Sequence, residues 1–350
     1  MKPHDPSAVD TRRRFEQWAN NPHCVANAAS AILNVPMRKV AEAEGLKAPF
    51  GQSPFALARG QSFERAMFRN EAAVLREELV AAGVLPADAK GFADFRYRRQ
   101  GGPIDDVEDA LADTLKWLRE IAAGKIDRSI AAGATIRIPG GVMLPQATLA
   151  IDALVVRVVD GKPRLIVGEV KVYPDRGGYT DESQLAGSRA QAGLYVHGVR
   201  LTLEQAGLAE KVAVDTTGFL VLSKSGSNRI SLRANEDFSG QAERAKTGLA
   251  TLSDVAQRLV LDPAAGFNEI QKAEVSYCES CVAFCERADL CRSRAEAAGE
   301  GSVLGDEVHR FLGEVTLVRV AELSQGAKPK DEHEREIVRL LALTEGSDGR

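Results

Sequence analysis

Three charged residues occupy positions where a β-hairpin ordinarily carries hydrophobes. Residues 147–173 form two β-branched, apolar runs around Asp160-Gly161, a strong signal for a tight turn between strands. Asp152 lies in the first run, Glu169 and Lys171 in the second. Residues two apart on a strand share a face, so Glu169 and Lys171 project together. Any even-length loop centred on Asp160-Gly161 sets Asp152 across from Glu169, because each lies eight residues from its turn residue. An odd-length loop would slip the register by one and separate them unless a bulge restored it. Facing carboxylates repel and weaken a hairpin. A divalent cation between them relieves that repulsion, and carboxylate-rich sites that keep several waters suit Mg²⁺ or Mn²⁺. Lys171 is the nearby positive group. The alternative is a set of edge-strand charges on a solvated face.

Thiols supply a second chemistry. Of five cysteines, Cys278, Cys281, Cys285 and Cys291 fall within fourteen residues, and Cys24 stands far upstream. In a reducing compartment such clustering points to metal ligation rather than disulfides. With no histidine nearby, an all-thiolate site is the economical choice, holding either Zn²⁺ or an iron–sulfur cluster.

The elements that would position these groups can be read in order. Residues 1–21 are a polar, basic leader, and residues 22–34 a short helix between Pro22 and Pro36 with Cys24 in its first turn. A Gly/Pro-containing loop, 45–60, leads into a helix with apolar residues Phe63, Met67, Val74, Leu75 and Leu79 at helical spacing. Glu64 sits at the start of that helix, where a carboxylate is favoured by the helix dipole alone. Residues 91–102 interleave Phe95 and Tyr97 with Arg96, Arg98 and Arg99. Arginines for phosphates and rings for bases make up a single-strand contact, although a surface loop of snorkelling arginines reads equally well. A capped amphipathic helix spans 105–123, followed by a strand at 134–139 and the hairpin. A helix follows at 183–199, then strands at 216–224 and 229–233 and a helix from about 241 to 261. On the helix after the hairpin, Gln184, Gln191 and Tyr195 share one face. His197 lies on another face, as a structural residue.

Composition bounds the class. The chain has 350 residues, 44% of them hydrophobic and 27% charged, enough for a sizeable core in one large domain or two modest ones. A net charge of −4 argues against broad coating of nucleic acid without excluding a local basic groove. No run approaches a membrane span, and the polar N-terminus lacks a signal-peptide pattern, so the expectation is a cytoplasmic protein with no membrane partner.

The order Asp152, turn, Glu169-x-Lys171 resembles the PD-(D/E)XK nuclease superfamily, with Ile151 in place of the proline that names the motif. Gln191-x-x-x-Tyr195 on the next helix resembles the RecB-like branch. Gly60-x-x-x-Glu64 has the spacing of that branch's first-helix motif, with glutamate in place of histidine. One cysteine before the core and several after it resembles the RecB-like nucleases with a four-cysteine iron–sulfur cluster, of the AddB and CRISPR-associated exonuclease type.

The resemblance implies an α/β, restriction-endonuclease-like fold, a central mixed sheet flanked by helices. Its parts would be a helical N-terminal region over 22–130, a nuclease core over 131–262, a cysteine region over 263–300, and a C-terminal helix and tail over 301–350. It further implies that Asp152 and Glu169, with the backbone carbonyl of Val170 and with Glu64, bind Mg²⁺ or Mn²⁺. Lys171 would orient the attacking water, while Gln191 and Tyr195 position the strand. Cys24, Cys278, Cys281 and Cys291 would hold a [4Fe–4S] cluster. A set with Cys285 replacing Cys278, a local set of the last four, and structural Zn²⁺ are the alternatives. The implied activity is an exonuclease on DNA with a single-stranded end. The competing class is a DNA-binding or assembly subunit beside a helicase or integrase, in repair, CRISPR adaptation or antiviral defence.

Overall fold

The computed structural model describes residues 18–19, 21–46, 54–96, 107–140, 147–225, 227, 229–262 and 266–345. In chain order the elements begin with α1 (Val25–Ile32), α2 (Met37–Ala43), α3 (Pro54–Met67), α4 (Arg69–Ala81) and β1 (Phe92–Asp94). Next come α5 (Val107–Ala122), β2 (Ile130–Ile138), β3 (Ala147–Val159), β4 (Lys162–Asp175) and α6 (Glu182–Gln205). They are followed by β5 (Ala213–Val214), β6 (Thr217–Lys224), β7 (Ile230–Asp237) and α7 (Ser239–Arg258). The chain closes with α8 (Phe267–Lys272), α9 (Cys281–Phe284), α10 (Ala288–Ala298), a 3₁₀ turn (Gly301–Leu304), α11 (Asp306–Leu312), α12 (Leu317–Ser324) and α13 (Glu332–Glu345).

Gln52–Arg258 makes one compact unit, and the flanking segments Met1–Gly51 and Leu259–Arg350 make the other. The first is an α/β unit built on a mixed seven-stranded sheet in the order β1-β2-β3-β4-β6-β7, with β5 pairing β4 beside that path. β1 and β2 run parallel, β2, β3 and β4 form an antiparallel meander, β4 and β6 run parallel, and β7 returns antiparallel. A parallel pair needs a long crossover, and α6 supplies it.

The hairpin closes through a two-residue turn. Val159 pairs with Lys162, and Asp160 and Gly161 take φ of 51° and 74°, both left-handed. That is the turn whose twist matches the strands. The register then runs back to Ala153 opposite Gly168, and extending it by one residue sets Asp152 against Glu169.

Alternation divides the sheet into two buried faces. Ala153, Val155, Ile166, Val170, Phe219 and Val221 join the cluster that includes Phe63 and Met67 of α3 and Leu75 and Leu79 of α4. Leu154, Val156, Leu165, Val167, Leu220 and Leu222 are buried on the opposite face. Asp152, Glu169 and Lys171 share the parity of this second set, which is the side on which α6 bonds to the sheet.

Several boundaries differ from the sequence reading. The strand expected at 134–139 begins at Ile130, and the one expected at 229–233 extends to Asp237. The segment 91–102, read as a loop, includes the short parallel strand β1. The helix expected from Phe63 onward is broken: α3 ends at Met67, and α4 takes left-handed φ at Asn70, Glu71 and Ala72 in its first turn. The first of these helices begins at Pro54, inside the stretch read as a loop.

The second unit joins residues distant in the chain. Asn21 donates to the Ser276 carbonyl at 2.7 Å, and Arg287, 1% exposed, makes a two-pronged ion pair with Glu44 at 2.7 Å on each arm. Leu312, Leu323 and Ile337 form a small core among the last helices. Among the described residues no helix is long and apolar enough to cross a membrane.

Burial along β3 can be tested with a matched pair of substitutions. Val155 is fully buried and Val158 is 53% exposed, on the same strand. Val155→Ala should cost about 1–3 kcal/mol and Val158→Ala under about 0.5 kcal/mol in urea unfolding. Equal costs would refute this difference in burial along β3.

Candidate functional site

Glu169 is wholly buried, and its Oε1 lies 2.6 Å from the Lys171 ammonium. Lys171 also donates to Gln191 Oε1 at 2.8 Å, and Gln191 Nε2 donates to the Tyr195 hydroxyl at 2.7 Å. Strand β4 and helix α6 are thus joined by a chain of four side chains, of which only Lys171 reaches water to any extent. One turn of helix separates Gln191 from Tyr195, so both can face the sheet. Gln184, expected on the same face, lies at the N-terminal turn of α6, where its N–H bonds the Asp181 carboxylate at 3.1 Å.

Asp152 reaches across the hairpin. Its Oδ2 accepts the Val170 N–H at 3.1 Å, which ties it to the residue between Glu169 and Lys171. Beyond Val170 the ladder is irregular: Val170 pairs with Val221, and the next pair in register is Pro174 with Ser223. Four steps along β4 match two along β6. A bulge at this point re-aims side chains, and Lys171 is its first residue.

Glu64 belongs to the same electrostatic neighbourhood. It lies in the last turn of α3 rather than the first, so the helix dipole disfavours its negative charge there. Burial raises its carboxyl above the ordinary glutamate value, and the charge of Asp152 raises it further. Arg96 and Lys171 act in the opposite direction without cancelling the rise. Arg96 lies 3.4 Å from Glu64, grips Asp94 through two arms at 2.9 Å, and stacks 4.4 Å above the Phe68 ring. Gly133 makes room for it. This residue falls in the β2 register opposite Asp152, has φ of 68°, and would put a Cβ 2.3 Å from Arg96 Cγ.

Arg96 is therefore engaged inside the protein. Tyr97, Arg98 and Arg99, the rest of the expected nucleic-acid contact, lie outside the described residues. His197 is half-buried on α6, and burial holds its imidazole below the usual value.

The cysteines occupy the second unit. Cys24, Cys281, Cys285 and Cys291 are buried in one apolar cluster with Met37, Ile270 and Tyr277, and half-buried Cys278 packs against it. Cys278 and Cys281 are 3.5 Å apart at sulfur. The hydrogen bond from Cys281 pulls the Cys278 thiol down to about 6, while the Cys281 thiol is held up by keeping the shared proton. Asn21 Nδ2 donates to Cys281 Sγ at 3.3 Å, and the Ser280 hydroxyl lies 3.1 Å from Cys278 Sγ.

Among the described residues no three His, Cys, Asp or Glu side chains close on a common point fit to hold a metal ion. The carboxylates that could do so are each engaged by a protein group: Glu169 by Lys171, Asp152 by the Val170 N–H, and Glu64 by Arg96. The donor types still suit the groups expected. Hard oxygen donors on neighbouring elements match Mg²⁺ or Mn²⁺, and soft thiols in an apolar pocket match iron–sulfur or zinc.

Sequence reasoning missed the Arg96–Asp94–Glu64 cluster and the Arg176–Tyr179 turn that ends β4. The dipeptide Gly177-Gly178 was the signal available for the second.

No protein-family pattern matches this chain, and no curated protein matches it. A solved structure titled "Crystal structure of SSO0001" aligns with 73% of this chain and 94% of its own, at 14% identity and a TM-score of 0.25. A likeness that slight carries no argument.

Two outcomes follow from this geometry. Lys171→Met removes the ammonium beside a buried carboxylate and should destabilise the protein by about 3–5 kcal/mol, with much of the loss recovered when Glu169→Gln is added. Urea unfolding of the single and double variants measures this, and an additive cycle would contradict the pairing. Because its folded carboxyl is raised, Glu64 favours the fold at low pH, and this contribution is lost as pH rises through the folded value. Glu64→Gln should therefore melt higher than the wild type at pH 7.5, the difference fading as pH falls below the ordinary glutamate range.

Proposed function

We propose that this chain is a metal-dependent deoxyribonuclease whose site is the Asp152–Glu169–Lys171 face of the hairpin. The observation that supports it best is the wholly buried Glu169 carboxylate, beside Asp152 across the hairpin and against Lys171. Burying a charge in this way is costly without a return in packing. Asp152 and Glu169, with Glu64 and the Val170 carbonyl as further oxygen donors, would hold Mg²⁺ or Mn²⁺, which supplies a bound water of lowered pKa and countercharge for the phosphate.

The chain's own residues have definable parts in this reading. Lys171 has a second anchor in Gln191, so it keeps its place when Glu169 takes another partner. From that place its ammonium can orient a water or meet charge developing on phosphate. Tyr195 fixes the Gln191 amide, and with it the reach of Lys171. Arg96 holds Glu64 near Asp152 and limits the cost of two adjacent carboxylates. In the second unit, Cys24, Cys278, Cys281 and Cys291 are proposed as ligands of a [4Fe–4S] cluster, with the Asn21 N–H donating to the Cys281 sulfur and the Ser280 hydroxyl within hydrogen-bond reach of Cys278. The proposed substrate is DNA with a single-stranded end.

The test uses anaerobically purified full-length protein and end-labelled single- and double-stranded DNA, with Mg²⁺, Mn²⁺ or EDTA. Cleavage should require the metal and fall at least about 100-fold in Asp152→Asn. Metal analysis of the same protein should find about four iron atoms per chain; about one zinc would mark a tetrahedral thiolate site instead. DNA bound but uncut by folded protein would replace this reading with that of a binding or assembly subunit.

A further inference from the structure

Strand β4 carries Glu169 and Lys171 and then ends in a turn that the proposed chemistry does not use. In Arg176-Gly177-Gly178-Tyr179, the Arg176 N–H donates to the Tyr179 carbonyl at 2.9 Å, and the Tyr179 N–H returns to the Arg176 carbonyl at 3.4 Å. Gly177 and Gly178 take φ of 67° and 94°, which other residues adopt only with strain.

The preceding residue braces this turn. Asp175 is buried; its Oδ2 accepts from the Gly178 N–H at 3.2 Å and the Ser231 hydroxyl at 2.7 Å, and its Oδ1 from the Thr180 hydroxyl at 3.1 Å. Burial pushes the Asp175 carboxyl up, but these three bonds outweigh it and hold the group below the usual aspartate value, as the anion. Arg233 adds a bond to the Gly178 carbonyl at 3.3 Å.

This bracing presents Tyr179, whose residue surface is 69% exposed. Tyr195 and Tyr277 are buried and Tyr173 is half-buried. Holding a ring in water on a braced turn contributes nothing to the core, so its use lies outside the fold. The charges around it indicate what it meets. Arg176 is on the turn, Lys224 pairs across from Asp175, and the Arg229 carbonyl accepts the Lys224 N–H; all three side chains are exposed. Arg189 and Arg233 converge on Glu236 and partly neutralise it. Of the adjacent acids, Asp181 caps the Gln184 N–H and Glu182 lies 3.5 Å from Arg189.

We propose that Tyr179 is a stacking platform for a base of single-stranded DNA, with Arg176, Lys224 and Arg229 meeting the phosphates beside it. An exposed ring among cations is the makeup of a sequence-tolerant single-strand contact. The proposal rests on the nuclease reading and adds the track by which the strand enters. At strand rise, and allowing for the bulge, the turn lies roughly 10–15 Å from Lys171, the span of about three or four stacked nucleotides.

The test measures binding in EDTA, where no cutting intervenes, by fluorescence anisotropy of a labelled oligothymidylate with full-length protein. Tyr179→Ala should weaken binding about tenfold, while Tyr179→Phe and Tyr179→Trp stay within about twofold of wild type. An abasic oligonucleotide of equal length should not distinguish Tyr179→Ala from wild type. Arg176→Ala should lower the salt slope by about 1. Unchanged binding by Tyr179→Ala, equal loss in Tyr179→Phe, or no binding by the wild type would each overturn the proposal. The two readings fail separately: absent cleavage with Tyr179-dependent binding removes the nuclease alone, and metal-dependent cleavage with Tyr179-independent binding removes the platform alone.

Discussion

The buried pair of Glu169 and Lys171 is the constraint on which the hairpin unit turns. A carboxylate cannot be taken fully out of water unless a partner meets it at short range. Here the partner lies two residues along the same strand, so the strand must keep both side chains on one face while Val170 between them enters the opposite core. Lys171 in turn fixes the rotation of α6 through Gln191, and Tyr195 fixes Gln191. The sheet and its crossover helix are therefore locked by a polar chain as well as by packing. Such a chain specifies one arrangement because every partial substitute leaves a buried polar atom exposed to the penalty of a missing bond.

Much of this could be read from residue order because it depends on counting. A two-residue turn at Asp160-Gly161 makes partners sum to a constant, and strand parity then sets Asp152, Glu169 and Lys171 on one side. Helical spacing likewise brought Gln191 and Tyr195 together. What escaped the sequence was set by tertiary contact. Nothing local shows that α3 starts at Pro54, yet that start moves Glu64 from a favourable helix end to an unfavourable one. Nor does local order reveal that Arg96 turns inward, since this depends on a left-handed Gly133 in a strand more than thirty residues later. An arginine beside aromatics looks the same whether it meets phosphate or an internal aspartate.

The cysteines were legible as a group and not as a set. Spacing identifies a cluster, and the fold gathers all five into one apolar region. Which of the five could meet at one point depends on side-chain rotation that spacing does not encode. The position of the polar donors on Asn21 and Ser280 is equally invisible in residue order, though such donors tune how readily a thiol gives up its proton.

The joining of distant segments has a consequence for how the chain emerges during synthesis. Gln52–Arg258 is contiguous, and its strands and crossover helix are complete once residue 258 has been made. The other unit spans it: Glu44 waits 243 residues for Arg287, and Asn21 waits 260 for Cys281. At about 5–20 residues per second, that is an interval on the order of 10–50 s during which Cys24 and its neighbours have no partners. Folding of the inner unit first shortens the loop that must close and lowers its entropic cost. The thiol pocket is thus assembled from two stretches of chain made early and late in synthesis.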